Sequence, residues 1–123
     1  MLNKLAKEVH QNAVDHGWWE KEREFGSLIA LMHSELSEAL EEYRNSTKDR
    51  IRALPIYYSG GGYVATVPTE CCKKPEGIAT ELADCIIRIL DYCGYVNIDI
   101  EEAIRIKHEY NKSRPYRHGG KQI

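Results

Sequence analysis

Apolar residues recur at helical spacing in four stretches of the chain, and one stretch between them breaks the rhythm. Leu2, Leu5, Val9 and Ala13 form a stripe over about residues 2–16, which predicts a first helix stopping near Gly17. A second helix is expected from about Ser27, a residue type suited to N-capping, to about Asn45. Its apolar side carries Leu28, Met32, Leu36, Ala39, Leu40 and Tyr43. The third covers about residues 76–93, with Ile78, Leu82, Cys85, Ile86, Ile89, Leu90 and Cys93 on one side and Gly94 as the expected C-cap. The fourth covers about residues 99–112, with Asp99 as N-cap, Glu102 as its capping-box partner and Pro115 beyond the end.

Residues 51–74 lack that period. Gly60-Gly61-Gly62 separates two β-prone runs, Ile56-Tyr57-Tyr58 and Tyr63-Val64-Ala65-Thr66-Val67, which reads as a hairpin or an ordered loop. Its length is unusual for a helix connection and favours a functional segment. The fold class expected is all-α, with one hairpin-like excursion in a single domain spanning residues 1–123.

Acidic pairs stand out on the second and third helices. Glu35-Leu-Ser-Glu38 and Glu81-Leu-Ala-Asp84 each place two carboxylates at i, i+3, on one helix face about one turn apart. Glu42 falls near the first pair. If the two apolar faces pack together, these acids converge at the edge of the core. Like charges at ~4 Å and an effective dielectric of ~20 repel by about 4 kcal/mol per pair, and a hard divalent cation relieves that. Oxygen-only ligands select Mg²⁺, or alternatively Mn²⁺ or Ca²⁺, over zinc or copper. A di-iron bundle would want Glu-x-x-His pairs; neither helix has one, and His33 precedes Glu35 by two positions. A solvated acidic face is the plain alternative to a metal site.

A phosphorylated substrate also needs cations. Lys107, Asn111 and Arg114 recur at i, i+4 and i+7, suited to phosphate, sugar or base contacts, and Arg88 follows Asp84 by four residues. Trp18 and Trp19, after Gly17, are candidates for stacking on a nucleobase or for plugging the end of the bundle. Tyr57, Tyr58 and Tyr63 of the excursion are similarly placed to cover a base or to pack the hairpin.

Composition narrows the classes. An apolar fraction of 42% and a charged fraction of 29% suit a globular chain. The formal charge of −2 gives no footprint for a nucleic acid polymer. No apolar run reaches the ~20 residues of a membrane span, and the start lacks a signal-peptide core, so a cytoplasmic location is expected. Cys71 and Cys72 are adjacent while Cys85 and Cys93 sit in the apolar pattern of the third helix, which fits core thiols better than a disulfide framework or a zinc site.

The combination resembles the MazG-like nucleotide pyrophosphohydrolases. It is carried by Gly17-Trp18-Trp19, by His33-Ser-Glu-Leu-Ser-Glu-Ala-Leu-Glu-Glu42, and by Pro75-Glu-Gly77 with Glu81-Leu-Ala-Asp-Cys-Ile-Ile-Arg-Ile-Leu-Asp91. Lys107-x-x-x-Asn111-x-x-Arg114-Pro115 and the His118-Gly-Gly-Lys121 tail complete it. The resemblance implies an all-α bundle completed by dimerisation, sometimes as a tetramer. It also implies hydrolysis of NTPs or dNTPs to monophosphate and pyrophosphate, a nucleotide-pool house-cleaning reaction. By it, Glu35, Glu38, Glu81 and Asp84 hold Mg²⁺, and Lys107, Asn111 and Arg114 contact the nucleotide. A mechanism then follows in which Glu38 or Glu42 serves as the base, while Lys107, Arg114 and Arg88 stabilise the leaving pyrophosphate. The alternatives from other classes are a nucleotide sensor without turnover and a helical interaction module. The long excursion departs from the simplest members and leaves substrate choice open.

Overall fold

Among the residues described by the computed structural model, 1–46, 56–59 and 74–117, the chain is mostly helical. In order it forms α1 (Leu2–Asp15), α2 (Phe25–Arg44), β1 (Tyr57–Ser59), β2 (Lys74–Glu76), α3 (Ile78–Val96) and α4 (Ile100–Ser113). It divides into two compact units, one of Met1–Trp18 with Leu90–Ile123 and one of Trp19–Ile89. No described helix is long and apolar enough to cross a membrane.

In the first unit, α1 packs on the end of α3 through small side chains. Ala6, Leu90 and Cys93 form the buried cluster, with Val9 and Ile100 against it. The stripe therefore turns toward Ala6, and Leu5 is 41% exposed. Gly17, at φ 82°, ends α1 as expected, and the Trp18 amide donates back to the Ala13 carbonyl at 3.0 Å.

Gly94 is not the cap that its position suggests. It lies inside α3, where a Cβ would stand 2.6 Å from both the Ala6 carbonyl oxygen and the His10 Cβ. A glycine there lets two backbones approach, which offsets its poor helix propensity. The left-handed terminator is Asn97, at φ 63°, and the Ile98 amide donates to the Cys93 carbonyl at 3.0 Å. That is the longer bond of a Schellman ending, with Asn in the place glycine usually takes.

Asp99 does cap α4, its carboxylate accepting from the Glu102 amide at 3.0 Å. Glu102 does not complete the box: its carboxylate takes Arg105 Nε and Nη2 at 2.8 and 2.6 Å instead. Asn3 ties the same turn to α1 by donating to Asp99 at 2.8 Å. Replacing Asp99 with Ala is therefore expected to lower Tm by several degrees in a thermal melt, while Asn at this position largely restores it.

In the second unit, α2 begins at Phe25, two residues before the expected start, with extended Glu24 preceding it and no side-chain cap. Ser27 is inside the first turn. All of residues 24–27 are exposed, so this helix start stands open to water. The buried stripe of α2 is Met32, Glu35 and Ala39. Leu36, Leu40 and Tyr43, expected on the same apolar side, are 49%, 49% and 56% exposed. On α3, Cys85 is buried while Leu82, Ile86 and Ile89 are exposed. Cys85 and Cys93 are both free and buried, as core thiols should be.

The strands pair antiparallel, Tyr57 with Glu76, Tyr58 with Pro75 and Ser59 with Lys74. The partner of the first β-prone run is thus 74–76, and the run at 63–67 lies outside the described residues. Cys71, Cys72, Tyr63, the Gly60-Gly61-Gly62 run and the 118–121 stretch do too. Gly77, at φ 111°, turns β2 directly into α3, and its carbonyl accepts the first helical bond from the Glu81 amide at 3.0 Å.

Candidate metal centre

The stripe on α2 and the opening turns of α3 bring three of the predicted acids together. Carboxylate oxygens of Glu35, Glu38 and Glu81 lie within 4.8 Å of one another. Glu35 sits on the buried stripe at 6% exposure, Glu81 is half-buried and Glu38 is exposed. Asp84, one turn beyond Glu81, is half-buried; it falls outside that trio, although its charge acts on Glu38 and Glu81.

The electrostatics show how the cluster tolerates its own repulsion. Burial first, then a hydrogen bond with Glu38 and the charges of Glu38, Asp84 and Glu35, push the Glu81 carboxyl up to about 7. The hydrogen bond with Glu35, followed by burial, raises Glu38. Burial and the charge of Glu35 raise Asp84, opposed by Arg88 and by Lys74 on β2. Glu35 goes the other way. Burial alone would raise it, but hydrogen bonds from Arg88, Glu38 and Glu81 and the charge of Arg88 together hold it below the ordinary value. The cluster thus sets a Glu35 held toward its ionised form against Glu38, Glu81 and Asp84 held toward their protonated forms.

This arrangement has a measurable consequence. Because the Glu81 carboxyl binds its proton more tightly when folded, it contributes stability that is present below its ordinary value of 4.5 and lost as pH rises through about 7. Glu35, shifted down, adds nothing to the slope above 4.5. Without divalent cations, stability should fall across that window by on the order of 1–2 kcal/mol, after allowing for solvent screening of a half-buried group. Thermal melts in EDTA at stepped pH check it, and a Tm that rises over that range contradicts it.

The other predicted residues are placed as follows. Glu42, half-buried on α2, accepts the Tyr57 hydroxyl at 2.8 Å on Oε1 and 2.9 Å on Oε2. It is engaged by the ribbon and does not join the trio. Arg88 donates from Nε to Glu35 Oε1 at 2.6 Å, so this cation is bound to a cluster acid. Lys107 and Asn111 are exposed on α4, and Arg114 is its C-cap, in the first unit. Lys107 Nζ and the Arg114 guanidinium sit 4.8 and 5.6 Å from the Tyr110 ring centre. Trp18 is 48% exposed and Trp19 half-buried.

Sequence reasoning missed two neighbours. Tyr57 as the partner of Glu42, and Lys74 acting on Asp84, both come from the paired ribbon strands. No spacing rule links residues so far apart. Comparison with models of protein families, with curated proteins and with solved structures found no match.

Proposed function

We propose that the chain is a metal-dependent nucleoside triphosphate pyrophosphohydrolase of the MazG-like kind, releasing a nucleoside monophosphate and pyrophosphate. The observation that carries this reading is the convergence of Glu35, Glu38 and Glu81 from two helices, with carboxylate oxygens within 4.8 Å of one another. The donor set fits a hard divalent cation. Ligand distances of ~2.0–2.6 Å allow opposite oxygens ~4–5 Å apart, and a cation would relieve the mutual repulsion that raises Glu81. Glu35, Glu38 and Glu81, with Asp84 one turn on, would hold Mg²⁺ or Mn²⁺. When bound, such an ion supplies phosphate charge neutralisation and acidifies water.

The protein's own groups divide the remaining work. Ionised Glu35 anchors the cluster, and exposed Glu38 takes the proton from the attacking water. Attack is in line at the α-phosphorus, and the bond to the oxygen bridging toward the β-phosphorus breaks, releasing pyrophosphate. Glu38 is preferred to Glu42 as the base because Glu38 belongs to the trio, whereas Glu42 accepts the Tyr57 hydroxyl of the ribbon outside it. Lys107, Asn111 and Arg114 carry the phosphate and nucleotide contacts on the strength of the motif. A homodimer or homotetramer is part of the same reading, supported by the exposed stripes Leu36-Leu40-Tyr43 and Leu82-Ile86-Ile89, which a second copy would cover.

A thermal-shift series tests whether the cluster serves a nucleotide at all. Mg²⁺ or Mn²⁺ with a non-hydrolysable triphosphate should raise Tm by more than either alone. A Tm indifferent to both would favour a helical interaction module.

A further inference from the structure

Arg88 leaves α3 at i+4 from Asp84 and i+7 from Glu81, so it shares the helix face that carries the acids. Its Nε donates to Glu35 Oε1 at 2.6 Å, with the two side chains 29% and 8% exposed. Glu35 is the buried charged residue among those described. A carboxylate withdrawn from water needs a compensating partner, and a charge-assisted hydrogen bond also fixes the plane of the group. A carboxylate has about four acceptor sites. Glu35 can therefore accept Arg88 and still offer a donor atom to the cluster, where one lies within 4.8 Å of donor atoms on Glu38 and Glu81.

The geometry points to Arg88 as a positioning residue for the proposed metal centre, holding Glu35 aimed at Glu38 and Glu81 before a cation arrives. This rests on the metal reading of the cluster and reassigns Arg88 from the substrate phosphates to a ligand. A planar guanidinium suits the task because it fixes direction as well as charge, which an ammonium does not. The competing view, that Arg88 merely occupies Glu35 until a cation displaces it, predicts the opposite sign: removing Arg88 would then tighten cation binding.

The test is Mn²⁺ binding to the full chain without nucleotide, followed by the electron paramagnetic resonance of free Mn²⁺, with circular dichroism to verify folding. Arg88→Gln should weaken Mn²⁺ binding by about 10–100-fold. Arg88→Lys should fall between Arg88→Gln and wild type, and it guards against a Gln variant that fails to fold, because the charge beside Glu35 is kept. A purely structural arginine would lower Tm without changing the Mn²⁺ affinity of the folded protein. If folded variants bind Mn²⁺ as tightly as wild type, or more tightly, the positioning role is overturned and the centre stands. If wild type itself takes up no Mn²⁺, the metal reading falls and this inference with it.

Discussion

Glu38→Gln is expected to lower triphosphate turnover by on the order of 10²–10⁴-fold while leaving the helical signal and Tm at or above those of wild type. Two physical facts give the result its two parts. Glu38 is exposed on α2, so an isosteric amide disturbs no packing. Its hydrogen bond with Glu35, then burial and the charges of Glu35 and Asp84, raise its carboxyl against the lowering effect of Glu81, so removing its charge relieves repulsion in the metal-free protein. A Tm gain alongside lost turnover is the pattern expected where a residue serves chemistry at a cost to stability. Steady-state hydrolysis and a melt on the same preparation read both parts. A variant that keeps wild-type turnover would remove Glu38 as the base.

The largest effect on stability is expected at Gly94. A methyl group there would stand 2.6 Å from the Ala6 carbonyl oxygen; a backbone atom, unlike a flexible side-chain tip, cannot swing away. Helix propensity alone would make Gly94→Ala stabilising by roughly 1 kcal/mol. The close approach reverses that sign: forcing α1 off α3 should cost about 1–3 kcal/mol net. For a chain of 123 residues, this corresponds to a fall in Tm on the order of 5–10 °C. The loss should appear equally with and without divalent cation, because the contact belongs to the first unit and the acids to the second. A melt in which Gly94→Ala matches or exceeds wild type would contradict the packing described.

The contrast between these two sites shows what the sequence made legible. Helices were visible because a 3.6-residue period survives without knowledge of partners. The meeting of Glu35, Glu38 and Glu81 was visible because each pair falls on one face of a helix next to an apolar arc. Gly94 was misread because a glycine kept for close approach inside a helix looks like a glycine ending one, while Asn97 carries the left-handed turn three residues later. On α2 the apolar arc joined two faces, one buried through Met32 and Ala39 and one exposed through Leu36, Leu40 and Tyr43; periodicity alone does not separate them. The partners of Arg88 and Glu42 are 53 and 15 residues away, at distances set by tertiary packing and outside any local spacing rule.

The central claim, metal-dependent cleavage at the α-phosphorus, is tested most directly by product analysis. The purified protein is incubated with each common NTP and dNTP and Mg²⁺, with an EDTA control, and the products are separated by anion-exchange chromatography. The account predicts nucleoside monophosphate and pyrophosphate in equal amounts, abolished by EDTA. Nucleoside diphosphate with inorganic phosphate, or turnover that survives EDTA, would contradict it.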